Sequence, residues 1–157
     1  MAYISVDDVK NSLLDVKKLV EAGRLSDGDI ERWVDVTEGE IDSYCSSRYR
    51  LPFTNQTSGA VETPPLIRSL TKQLTTYYFL EDQNRAPDTR DRIHSRVLAV
   101  LRRIQSGEQK VLDTDKNPIA LDSTLVDDVY SNRMGVAMVS SMRDAEEQNL
   151  RPQDYED

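Results

Sequence analysis

The sequence predicts a mainly α fold, a small bundle of about four helices followed by an extended C-terminal arm with possible short β-strands. Apolar residues recur at three- and four-residue spacing through most of residues 1–107, as on the buried faces of helices. Only six glycines and two phenylalanines occur among 157 residues, which argues against a large β-sandwich. After Gly107 the helical spacing is lost and short apolar patches alternate with polar stretches.

The first predicted helix follows a Ser5 cap and ends at Gly23. Its apolar side carries Val6, Val9, Leu13, Val16 and Val20. The second runs from about Asp29 to Ser47, behind a cap at Ser26 or Asp27. Its stripe carries Ile30, Trp33, Val34, Thr37, Ile41, Tyr44 and Cys45. The string S-D-G-D-I-E lacks the full ligand ladder of a calcium loop, so a helix cap is the better interpretation.

A polar loop, residues 52–63, separates the second helix from a third, which we predict to be capped by Thr63 with Pro64 at its first position. The buried side of the third helix carries Leu66, Leu70, Leu74, Tyr77 and Tyr78. Pro87 opens a fourth helix and Gly107 closes it. This helix is rich in arginine, which indicates either a solvated or partner-facing surface or a site for nucleic acid.

The balance of acidic and basic residues changes after Gly107, where the helical spacing of apolar residues also ends. Residues 1–107 hold 15 Lys/Arg and 16 Asp/Glu, whereas residues 108–157 hold 5 and 12. We therefore predict a helical body over residues 1–107 and an acidic arm over residues 108–157, partly disordered until assembled. Val111-Leu112, Ile119-Leu121 and Val136-Val139 could each form a short strand or a docking strip. Met134, Met138 and Met142 are spaced by four, as on one helical face or in an adaptable apolar contact.

No arrangement of residues typical of an enzyme is found, so we predict no catalytic activity, no cofactor and no metal site. His94 has no second histidine to accompany it and is expected on the surface. The carboxylate pairs Asp113/Asp115 and Asp127/Asp128 are expected to be solvated, because two carboxylates are too few ligands for calcium. Cys45, the single cysteine, is expected in the core.

No run of residues approaches the roughly 18 apolar residues that cross a membrane. The N-terminus lacks the basic and apolar regions of a secretory signal. We therefore expect a protein made in a cytoplasm, with no membrane partner.

One segment resembles a known family. The motif E-I-D-S-Y-x-x-x-R-Y-x-L-P is followed by a polar loop, by P-P-L-I-R-x-L, and by an apolar helix ending in Y-Y-F-L. This arrangement resembles the small head–tail connector proteins (adaptors, or head-completion proteins) of tailed bacteriophages, including the Mu-like joining proteins. The start M-A-Y-I-S-V-D-D-V and the helix R-V-L-A-V-L-R-R-I-Q-S-G are similar too. The resemblance covers residues 1–107.

The resemblance implies a structural virion protein at the head–tail interface, made in the host bacterial cytoplasm. About twelve copies would form a ring beneath the portal protein and present a platform to a tail-proximal stopper or tail-terminator protein. Viral DNA would pass through without specific binding, and the arm would fold when it meets the portal or a neighbour. Trimming residues 108–157 is then expected to leave a soluble helical body that no longer joins heads to tails.

Candidate interface residues lie around the proline that ends the second helix. Tyr49 and Leu51 can pack back onto the bundle while Pro52 turns the chain. Arg48 and Arg50 would project and pair with acids of another subunit, although Arg48 could instead compensate the C-terminal dipole of its helix. The full predicted subunit or portal interface comprises Arg48, Tyr49, Arg50, Leu51, Pro52, Arg96, Arg103, Met134, Met138 and Met142.

Two other functions remain open from the sequence. A soluble helical regulator or assembly factor that binds a partner protein, and is absent from the particle, would show the same amphipathic bundle and acidic tail. A nucleic-acid binder could use the arginines between Arg90 and Arg103, but a sequence pI of about 4.7 argues against it.

Overall fold

The computed structural model describes residues 3–123. These residues form five helices: α1 Val6–Ser12, α2 Leu14–Glu21, α3 Asp27–Cys45, α4 Pro65–Asp82 and α5 Pro87–Ser106. Extended pairing within this part of the chain is confined to isolated bridges. The prediction of a mainly α bundle is confirmed. Among the described residues, no helix has the length and apolar character needed to cross a membrane.

The predicted first helix is in fact two helices, so the prediction of one continuous helix is wrong. Leu13 adopts an extended conformation, with φ −120° and ψ 95°, between α1 and α2. The Ser12 hydroxyl donates to the carbonyl oxygen of Asp8 at 2.6 Å, and such side-chain bonds compete with the helical backbone. The Ser5 cap is confirmed, and Asp8 completes a capping box with it.

A serine cap and a proline pair determine where α3 and α4 begin. Ser26 caps α3, and its hydroxyl accepts from the backbone N–H of Asp29 at 3.3 Å. The predicted Thr63 cap of α4 is wrong by one residue, since Pro64 is the N-cap and Pro65 the first helical residue. A residue before proline is driven to extended conformations, and Pro64 has ψ 144° for that reason.

The apolar interior consists of two clusters. The Phe53 cluster joins the C-terminal half of α3 to the first half of α4, to α5 and to the segment after α5. Its buried residues are Tyr3, Ile41, Cys45, Tyr49, Phe53, Ile67, Leu70, Leu74, Val97, Leu101, Ile104, Val111 and Ile119. The Trp33 cluster joins α1, α2, the N-terminal half of α3 and the end of α4. Its buried residues are Ile4, Val9, Val16, Leu25, Ile30, Trp33, Val34 and Phe79.

α3 and α4 are antiparallel and contribute to both clusters, because the N-terminal half of each packs with the C-terminal half of the other. Thr37, Thr71 and Thr75 are fully buried along these two helices. The Thr71 hydroxyl donates to the carbonyl oxygen of Ile67 at 2.8 Å. Cys45 is also fully buried, so its predicted place in the core is confirmed.

The segment after α5 completes the body. Val111 is fully buried and Ile119 is 6% exposed, both inside the Phe53 cluster. The backbone turns back on itself here, as the N–H of Ile119 donates to the carbonyl oxygen of Val111 at 3.0 Å. Contacts divide the chain after Leu121, and the first compact unit is Met1–Leu121. The first unit therefore continues beyond Gly107, the boundary that composition predicts, because the apolar residues that follow are needed in its core.

Candidate functional site

The corner after α3 is built around Tyr49. The carbonyl oxygen of Cys45 accepts from the backbone N–H groups of Arg48 at 3.0 Å and Tyr49 at 2.9 Å, which turns the chain at the helix end. The Tyr49 hydroxyl accepts from the backbone N–H of Val111 at 3.2 Å. Tyr49 is buried and Leu51 packs against the Phe53 cluster, as predicted. Both side chains therefore belong mainly to the fold.

Beyond this corner, Pro52 is exposed and follows a cis peptide bond. Arg50 is exposed, with no hydrogen bond or ion pair among residues 3–123. These two residues are the members of the R-Y-x-L-P motif that remain on the surface.

Arg48 lies across the C-terminal end of α5. A Cβ atom placed on Gly107 would be 2.5 Å from its Nη1 and 2.6 Å from its Cζ, so the guanidinium rests directly on the glycine. The side chain is half-buried, and within the described residues its Nε has no hydrogen-bond partner. The positive group thus stands at the negative end of the α5 helix dipole. A role of Arg48 in subunit contact remains a prediction.

Replacing Gly107 by Ala should lower the free energy of unfolding by about 1–2 kcal/mol, because φ is +85° there and a Cβ is strained in the left-handed region. The added methyl group must also displace Arg48. Urea unfolding followed by Trp33 fluorescence measures the loss. Gly39→Ala is the matched control, since Gly39 lies within α3 with open space around it. The control should gain up to about 1 kcal/mol. Equal stability of Gly107→Ala and the native chain would contradict this account.

Asn55 ties the loop after Pro52 to the segment after α5. Its Oδ1 accepts from the backbone N–H groups of Thr57 and Ser58, both at 2.8 Å. Its Nδ2 donates to Thr114 Oγ1 at 3.2 Å and to Asp115 Oδ2 at 3.1 Å. One buried amide therefore shapes its own loop and holds a segment almost 60 residues further along the chain.

Asp113 makes the reciprocal connection, and the expectation that its carboxylate is solvated is wrong. The side chain is 1% exposed, and the carboxylate accepts from the backbone N–H groups of Gln56 at 3.1 Å and Asn117 at 2.8 Å. Burial alone would raise the pKa of Asp113, but these backbone donors outweigh it and hold the pKa below the ordinary 3.8. The stability that this carboxylate adds is present above that ordinary value and is lost as the pH falls below it.

A second polar group joins α3, α4 and α5. Glu40 accepts from the Tyr78 hydroxyl at 2.8 Å, and His94 Nε2 lies 3.5 Å from its Oε1. The His94 ring stacks on Tyr77 with 4.4 Å between centroids. Burial, with the Glu40 bond, raises the pKa of Tyr78. His94 is thus oriented by two neighbours, which the sequence analysis did not anticipate because they lie on other helices.

Burial raises the pKa of the Cys45 thiol to about 12. Among residues 3–123, no group of three His, Cys, Asp or Glu side chains is placed to hold a metal ion.

Two groups of exposed charged side chains lie on outward faces of α5 and α3. We call the first the arginine face of α5; it consists of Arg92, Arg96, Arg102 and Arg103. The acidic face of α3 consists of Glu31 and Asp35. All six are exposed, and none makes a hydrogen bond or ion pair with another described residue. Predicted interface residues Arg96 and Arg103 therefore share one surface, whereas Tyr49 and Leu51 lie in or against the core.

The remaining predicted interface residues, Met134, Met138 and Met142, lie outside the described residues, as does the strip Val136-Val139. Nothing in the geometry tests their predicted role.

Comparison with known proteins shows which family the chain belongs to. The family model described as "Bacteriophage Mu, Gp36" matches residues 3–126. That span contains all five described helices, the Asn55 and Asp113 contacts and both charged faces. No curated protein and no solved structure matches the chain. Because the family model covers most of the 157 residues, the chain belongs to the bacteriophage Mu Gp36 family and is a phage protein.

Proposed function

We propose that this protein is a ring-shaped adaptor between the portal vertex of the phage head and the tail, present in about twelve copies. The observation that carries the proposal is the family match over residues 3–126, which supports a structural or assembly-related phage protein. The partners are the portal protein on the head side and a tail-proximal stopper or tail-terminator protein on the other. The protein is a component of the virion at the head–tail interface and is made in the host cytoplasm.

The described body suits a structural building block. Its polar contacts connect distant parts of the chain, as Asn55 and Asp113 do, and thereby fix the shape of the surface. The arginine face of α5 and the acidic face of α3 are directed outward and are of opposite sign. A subunit with two unlike surfaces can add neighbours head to tail, and such contacts close into a ring when the rotation between copies allows it.

In this proposal the C-terminal segment takes up its structure when it meets the portal or a neighbouring subunit. Residues 122–157 carry nine Asp/Glu and three Lys/Arg. Such a segment does not retain the phosphate backbone of DNA. Viral DNA would therefore pass the ring without specific binding.

Native mass spectrometry of the purified protein, alone and mixed with the portal ring of the same phage, tests the proposal. We expect about twelve copies to add to each portal ring. A closed ring without portal would support the adaptor function and show that the interface is preformed. A monomer or dimer that never binds the portal would contradict it, and absence of the protein from purified virions would then favour the assembly-factor alternative.

A further inference from the structure

α3 is an acidic helix. Some of its carboxylates bind groups within the body, and others face solvent. It carries seven Asp/Glu and one basic residue, Arg32. Four of the inner or capping acids have partners within the body, namely Asp29, Glu38, Glu40 and Asp42. Arg32 is already close to Asp29 and Asp82. Glu31 and Asp35, one helical turn apart, have no described partner and are left to face solvent together.

Beside these two acids, the outer surface of α3 carries a glycine and an exposed apolar residue. Gly39 has open space where a side chain would be, and Val36 is 47% exposed although it is apolar. A second helix can approach α3 closely at Gly39, where there is no side chain, while Arg32 is exposed nearby on the same helix.

α5 presents the complementary pattern. Arg92, Arg96 and Arg103 follow one another at spacings of four and seven, so they form a single stripe along about 16 Å of helix. Exposed Ala99 lies within that stripe. Arginine is well suited to this position, since its planar guanidinium binds carboxylates with two parallel hydrogen bonds. Four arginines without a described carboxylate partner are an unusual concentration in a chain whose net charge is −8.

The two faces cannot meet within one molecule. Each of α3, α4 and α5 packs against the other two, and their inner sides form the core. The outer surfaces of α3 and α5 therefore point in different directions. They can be joined only between copies, with α5 of one copy on α3 of the next.

The geometry points to a head-to-tail contact in which the arginine face of α5 docks on the acidic face of α3 of a second copy. This inference deepens the proposed function and rests on it, because repetition of one such contact would build the ring. The occupant of each face is another copy of this chain, and the recognition is between guanidinium and carboxylate groups around the small residues Gly39 and Ala99.

Paired charge reversals in the full-length protein test this contact. One variant carries Arg96→Glu and Arg103→Glu, and the other carries Glu31→Lys and Asp35→Lys. Each variant alone should lose assembly about tenfold or more, because like charges then oppose each other. An equal mixture should recover it, since the reversed α5 of one variant meets the reversed α3 of the other. Native mass is measured under the conditions in which the native chain assembles, with portal present if required.

The control for the α5 variant has the same change in net charge on another helix. Lys17→Glu with Lys18→Glu alters two exposed residues of α2 and should assemble as the native chain does. Circular dichroism and Trp33 fluorescence of every variant should match those of the native chain.

The outcomes separate this inference from the proposed function. A ring that forms normally with the α5 variant would overturn the contact and leave the adaptor function standing. The contact would also be overturned by a mixture of the two variants that fails to recover assembly, or by assembly of the native chain that stops at two copies. A native chain that never assembles, with or without portal, would overturn both. Unchanged assembly accompanied by loss of salt-sensitive DNA binding in the α5 variant would assign the arginine face to nucleic acid instead.

Discussion

A chain that ends at Gly107 should fail to fold cooperatively, even though it retains all five described helices. Truncation there removes Val111 and Ile119 from the Phe53 cluster, at roughly 1.5–3 kcal/mol for each buried side chain. It also leaves the Tyr49 hydroxyl and the Asn55 Nδ2 group without their partners. A domain of this size has a free energy of unfolding of only about 5–15 kcal/mol. The losses are therefore comparable to its total stability.

The matched variant ends at Leu121 and keeps the entire first compact unit. We expect it to melt within a few degrees of the full-length protein, whereas the chain ending at Gly107 should show no cooperative transition. Circular dichroism at increasing temperature, with Trp33 fluorescence as a second probe, decides between them. A cooperative transition at the same temperature for both truncated chains would refute the structural role of residues 108–121. We expect removal of the C-terminal segment to abolish head–tail joining. The chain that ends at Leu121 is therefore the better variant for testing this.

Phe53→Ala should lower the free energy of unfolding by about 3–5 kcal/mol, the usual cost of removing a buried aromatic ring. Phe53 lies in the loop directly after Pro52, yet it is 1% exposed. Its ring centroid is 6.0 Å from that of Tyr3 and 6.1 Å from that of Tyr49, so it joins the N-terminal segment to the corner after α3. Urea unfolding followed by Trp33 fluorescence measures the change.

Trp33 lies in the other cluster, so a shift in its transition would show that the two clusters unfold together. Phe53→Leu keeps most of the volume and should cost less than about 1.5 kcal/mol. Val61→Ala, at an exposed position later in the same loop, should change stability by no more than about 0.5 kcal/mol. A similar small effect for Phe53→Ala would mean that the loop does not contribute to the core.

Local chemistry made α3, α4 and α5 predictable. Each has a long apolar stripe and a strong boundary signal, such as Ser26 before α3 and Gly107 after α5. The break at Leu13 escaped the same reasoning because Leu13 continues the apolar spacing across it. The Ser12 hydroxyl bonds to the Asp8 carbonyl oxygen at this point, but Thr71 makes the same kind of bond within the unbroken α4, so this bond alone does not account for the break.

The segment after α5 was harder to predict for a different reason. Val111 and Ile119 belong to short apolar patches, Val111-Leu112 and Ile119-Leu121, and each is buried by residues distant in the sequence. The partner of Val111, Tyr49, is 62 residues earlier. For the candidate site, the sequence placed Arg96 and Arg103 on one arginine-rich helix, but the position of Arg48 over Gly107 depends on how two helix ends meet.

The burial of Cys45 has a chemical consequence for the whole protein. It is the single thiol of the chain, it is fully buried, and burial raises its pKa to about 12. Disulfide formation and alkylation require an accessible thiolate, which this residue does not offer near neutral pH. We therefore expect the protein to form no disulfide either in a reducing cell interior or in an oxidising medium outside it. A cysteine introduced on the surface would be the only thiol available for labelling.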